Sequence, residues 1–247
     1  MKLIAIDSSG LVASVAIAED DNLIAEYNVQ YKKTHSQTLL PMLDELKKMV
    51  DLDMSSIDAI AISKGPGSFT GLRIGSATAK GLAQALDIPI VEIGTLEGLA
   101  CNLYASDSLI VPMMDARRSQ VYTGIFAYER TKEGYALKTL LDECAIDINE
   151  LTAIVNEFSK KYDKNVIFLG DGLPVYKNEI DTCVTADYVC APAHMNRQRA
   201  ASFATLAMEK FRMGEYVSCG EHAPEYLRLS QAERERNEGI RNRGSNY

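Results

Sequence analysis

Two short runs in this 247-residue chain have the residue types for phosphate or metal chemistry: Asp7-Ser8-Ser9-Gly10, directly after an apolar run, and Gly65-Pro66-Gly67-Ser68-Phe69-Thr70-Gly71, directly before a helical pattern. A glycine loop opening a helix offers backbone N–H groups and the positive end of the helix dipole to an anion. Asp7 and Ser8 could hold a metal-bound phosphate. Asp7, Ser8, Gly65, Gly67 and Ser68 therefore form a candidate phosphate-binding set. The spacing weighs against turnover, because no lysine follows Gly71 and Gly71 comes one residue late for a dinucleotide fingerprint. The favoured role for the loop is a tight turn that packs its helix against a sheet. His35, His194 and His222 lie far apart, without a spacing that puts two imidazoles on one helix face. No G-x-S-x-G elbow supports a Ser-His-Asp hydrolase. No catalytic residue, metal or cofactor is expected.

The elements that position these runs repeat. KLIAID, LVASVAIAE and LIAEYNVQ read as three antiparallel strands, followed by a helix over about 35–50, a strand over 57–63, the glycine loop, a helix to about Leu86, a strand over 88–93 and a short helix near Leu96–Tyr104. The second half runs in the same order: strands over 109–118, 120–129 and 135–145, a helix over 148–162, a strand over 165–172 and a helix over 196–214. Two β-β-β-α-β-α lobes predict the duplicated α/β fold of actin, sugar kinases and heat-shock chaperones. The lobes are placed at 1–106 and 107–229, with a polar tail at 230–247. In that fold, Asp-x-Gly turns after the first strand of each lobe position phosphates. Here the second turn, Asp115-Ala116-Arg117-Arg118, has two arginines and no glycine, and Gly170-Asp171-Gly172 is short of a glycine-rich run. The phosphate set is expected to be vestigial, and the competing function is an actin-like kinase or ATPase using Asp7 and the Gly65–Gly71 loop.

The helix after Ser36 spreads Leu39, Leu40, Met42, Leu43, Leu46, Met49 and Val50 over roughly half its circumference, whereas a helix on a sheet needs a stripe of about 100°. The helix from Gly71 carries two seams of small residues, Gly75-Ala79-Ala83 and Ala77-Gly81-Ala85. Each interior glycine costs roughly 1 kcal/mol relative to alanine, so both seams invite close packing. Association costs about 4–15 kcal/mol before net affinity appears, so both helices would be needed for a partner surface. Leu39, Leu40, Leu43, Leu46, Leu72, Gly75, Ala79 and Leu82 are the expected interface residues.

A net charge of −8 argues against an extended basic surface for nucleic acid. The five cysteines are scattered and form no C-x-x-C pair, which predicts reduced, mostly buried thiols. The opening apolar run is too short for a signal peptide or a membrane span. A cytoplasmic location with no membrane contact is the expectation.

The stretches MKLIAIDSS, HSQTLLPMLDELK, ISKGPGSFTGLRIGSATAKGLA and APEYLRL resemble the TsaB (YeaZ-type) tRNA threonylcarbamoyladenosine family, nearly to Leu229. The resemblance implies a non-catalytic subunit that binds a TsaD-like catalytic paralogue through the two helices. With a TsaE-like ATPase it would support threonylcarbamoyl transfer to the adenosine beside the anticodon, touching tRNA only indirectly. It also implies a possible homodimer through the same helices. Thr95 and Leu99 fall where TsaD-like relatives place metal-binding histidines, and neither is a usable substitute.

Overall fold

A computed structural model describes residues 1–31, 34–132 and 134–228; the expected tail at 230–247 lies outside the described residues. Strands β1 (Lys2–Asp7), β2 (Ala13–Glu19) and β3 (Asn22–Val29) form the predicted antiparallel meander, and β4 (Ala59–Gly65) and β5 (Ile90–Gly94) extend it in parallel, giving the order β3-β2-β1-β4-β5. β6 (Leu109–Asp115), β7 (Gln120–Arg130), β8 (Tyr135–Asp147), β9 (Val166–Leu169) and β10 (Tyr188–Cys190) repeat that logic in the order β10-β9-β6-β7-β8. This is the duplicated actin-like fold. β1 and β4 read as continuous apolar runs because both are central strands covered on both faces.

Helices α1 (His35–Met49) and α2 (Phe69–Leu86) cover one face of the first sheet, where Leu39, Leu43 and Ala79 pack with Ile4, Ile17 and Ile62. The other face is covered by α6 (Ala200–Arg212), through Phe203, Ala204 and Ala207, although α6 belongs to the second half of the sequence. Conversely, α3 (Thr95–Ala100) belongs to the first half but packs Leu96, Leu99 and Ala100 against Ile110, Met114 and Phe126 of the second sheet. The halves are therefore knitted by an exchange of helices. α4 (Ile148–Tyr162) and α5 (Lys177–Cys183) cover the outer face of the second sheet.

Four elements depart from the expected pattern. The helix near Leu96–Tyr104 stops at Ala100 and continues as a 3-10 turn, Cys101–Leu103. The last long helix begins at Ala200 because Arg199 is extended, Asn196 Oδ1 accepts the Gly170 N–H, and Arg197 donates to the Gly170 carbonyl. α5 and β10 escape the sequence reading because seven and three residues are too short to show a period. Among the described residues, no helix is long and apolar enough to cross a membrane.

Candidate functional site

The glycine loop lies on the turn that follows β1. Ser8 Oγ donates to the Gly71 carbonyl at 2.9 Å, and the Ser68 N–H donates to the Ser9 carbonyl at 2.7 Å. Ser68 caps α2, its Oγ accepting the Gly71 N–H at 3.3 Å. A Cβ at Gly67 would meet Ser9 O at 2.4 Å, and one at Gly71 would meet Ser8 O at 2.1 Å. The glycines thus serve contact between two stretches of this chain's own backbone. Asp7 is fully buried, and burial pushes its carboxyl above the ordinary range, so its charged form is disfavoured. Of the candidate phosphate set, Asp7 and Ser8 are buried, Gly65 and Gly67 sit in close backbone contacts, and only Ser68 is exposed.

The matching turn of the second sheet has a different build. Asp115 accepts the Tyr176 hydroxyl at 2.9 Å and the Arg117 N–H at 2.8 Å. Arg117, Arg118 and Ser119 are all left-handed, with φ of 63°, 56° and 57°, and their side chains are exposed. Gly170, at φ 111°, has its Cα where any Cβ would sit 2.0 Å from Met113 O. Between the sheets, Thr95 Oγ1 lies 2.6 Å from Ser63 Oγ, and Leu99 is buried in the α3 core. His35 Nε2 bonds the Gly10 carbonyl at 2.9 Å and His222 pairs with Glu92 at 2.6 Å, so these two histidines serve separate contacts. No group of three or more His, Cys, Asp or Glu able to hold a metal occurs among the described residues.

Burial sorts the expected interface residues into two groups. Leu39, Leu43, Leu46, Leu72, Gly75 and Ala79 are buried within the protomer. The apolar arc of α1 is wide because α2 and the first sheet together cover it. Gly75 lets α2 approach so closely that a Cβ there would meet Ser8 Oγ at 2.3 Å. Leu40, at 54% exposure, faces outward, and Leu82 is half-buried. The outward surface also includes Met49, 81% exposed, and the seam Ala77-Gly81-Ala85; a Cβ at Gly81 would have nothing within 4 Å among the described residues.

Sequence reasoning missed three polar contributors. Gln198 is buried, with its amide against Gly10 and Met114. Glu143 of β8 accepts the Glu97 N–H at 2.8 Å and covers Gly94. Burial raises its carboxyl to about 8. The segment 217–228 passes from β5 to the β6–β7 turn: Val217 pairs with Ile90, the Glu225 N–H donates to the Lys64 carbonyl at 2.6 Å, Tyr226 stacks on Phe69, and Arg228 donates to the Ala116 carbonyl. Only the APEYLRL motif hinted at this strap, since its contacts are non-periodic and distant in sequence.

The TsaD family model, described as tRNA N6-adenosine threonylcarbamoyltransferase, matches residues 23–236. The tRNA threonylcarbamoyladenosine biosynthesis protein TsaB of Bacillus subtilis strain 168 is 37% identical over 94% of this chain and 96% of its own length. The chain belongs to the TsaB (YeaZ-type) family. The TsaB protein of Haemophilus influenzae is 26% identical over 92% of this chain and 94% of its own. YeaZ from Pseudomonas aeruginosa superposes with a TM-score of 0.75 at 25% identity, covering 92% of this chain and all of that structure.

Proposed function

We propose that this chain is a cytoplasmic, non-catalytic subunit that docks a TsaD-type catalytic paralogue on the outward faces of α1 and α2. With a TsaE-type ATPase it supports threonylcarbamoyl transfer to the adenosine beside the anticodon of tRNA. The observation that carries this reading is Gly81. A glycine inside a helix costs roughly 1 kcal/mol relative to alanine, and nothing among the described residues needs the space that Gly81 leaves open. A partner helix approaching along Ala77, Gly81 and Ala85 would need it, and Leu40 and Met49 would add apolar area to the contact. A second copy presenting the same face would compete for it.

The other end of α2 supports the lack of turnover. The loop that would cradle a phosphate is packed on Ser8 and Ser9, and Asp7 is buried with its charge disfavoured. The test is reconstitution of the modification on unmodified tRNA. The full rate should require this chain together with the TsaD-type and TsaE-type proteins, and this chain alone should hydrolyse no ATP. Metal-dependent ATP turnover by the chain alone would instead establish the kinase or ATPase reading.

A further inference from the structure

Where the strap crosses from the start of α2 to the β6–β7 turn, exposed arginines and a pair of aromatic rings from three separate segments meet in one strip. Arg73, on the first turns of α2, lies over the Phe69 ring at 3.9 Å, and its Nε donates to the Tyr226 hydroxyl at 3.2 Å. The Phe69 and Tyr226 rings are 4.8 Å apart. Two residues along the strap, Arg228 reaches across to the second sheet and bonds the carbonyls of Ala116 and Arg117, which brings the exposed Arg117 and Arg118 beside it. The side chains of Arg73, Arg117 and Arg118 form no ion pair among the described residues, in a chain whose net charge is −8. Lys64, also nearby, is by contrast neutralised by Glu225 at 3.2 Å.

We infer that this strip is a contact surface for single-stranded RNA, with Tyr226, backed by Phe69, offering a stacking face and Arg73, Arg117 and Arg118 meeting phosphates. Aromatic rings beside arginines are the sequence-tolerant way to hold unpaired bases. The strap holds Tyr226 against Arg73 before binding, and the left-handed turn sets the backbone that carries Arg117 and Arg118. The inference rests on the proposed function, because Arg73 lies one helical turn from Ala77, so an RNA gripped mainly by the partner passes within reach of the strip. It revises the expectation of a purely indirect role for RNA while keeping the strip's share small: three phosphate contacts lose roughly 20- to 40-fold in affinity between about 50 and 200 mM salt.

The test measures binding of a short RNA hairpin with an unpaired loop to the full chain, alone and paired with the TsaD-type protein, across a salt series. Arg117→Asn with Arg118→Asn suits the left-handed backbone and should weaken binding about fivefold or more, lowering the salt slope by roughly one to two. Arg73→Glu should act in the same direction. Tyr226→Leu should weaken binding at every salt with the slope unchanged, and ultraviolet crosslinking should place the RNA on Tyr226 in the wild type. Unchanged affinity in all three variants overturns the inference. So does a polyglutamate peptide that displaces the hairpin as well as unpaired RNA does, since the strip would then be a site for acidic protein. If the chain binds RNA through the strip but fails to pair with the TsaD-type protein, this inference stands and the proposed function falls. Pairing without any loss of RNA affinity in the variants gives the reverse.

Discussion

The two sides of α2 are built from the same small residues and have opposite surroundings. On the inner side, Gly75 is pressed against Ser8 and Ile62, and Ala79 and Ala83 are buried in the core of the first sheet. On the outer side, Ala77, Gly81 and Ala85 face open space. Residue type therefore tells where a helix can be approached closely, and only the packing tells whether its own chain has already made that approach.

Filling the inner seam gives the largest expected effect. Gly75→Leu should force Ser8 away from the Gly71 carbonyl and destabilise the protein by about 3 kcal/mol or more, within the upper range for overpacked cores. Thermal unfolding would show it as a large drop in Tm, and an unchanged Tm would mean that the inner seam is not close-packed.

A second prediction probes the interior beyond α2. Burial raises Glu143 from an ordinary value of 4.5 to about 8, so the unfolded chain releases this proton at lower pH than the folded one. Its contribution to stability is fully present below pH 4.5 and is lost as pH rises through about 8. Glu143→Gln should remove that decline, leaving the variant more stable than wild type above pH 8 by on the order of a few kcal/mol at most. Denaturant unfolding at several pH values tests this, and parallel pH profiles for the two proteins would contradict it.

The smallest effect belongs to the outer seam. Gly81→Ala adds a methyl group in open space on a helical backbone and should stabilise the isolated chain by about 0.5–1 kcal/mol. A loss of stability would show that the outer side is already engaged within the protomer.

Much of this architecture was legible in the sequence. The repeated strand order, Asp7 at the end of β1, and the loop leading into α2 follow from apolar periodicity and glycine punctuation. Periodicity gives the width of an apolar arc but not its neighbours. Leu39 and Leu43 looked like surplus surface and are core, because α1 is flanked by both a sheet and a helix. The strap was harder still, since Tyr226 meets Arg73 across 153 positions and His222 meets Glu92 across 130. Such pairs leave no local pattern.

The central claim, that the outer seam of α2 is a docking face, is tested most directly with Gly81→Trp titrated against the TsaD-type protein. The seam account predicts a variant with a Tm no lower than wild type that no longer forms the complex. A variant that binds with wild-type affinity would contradict it.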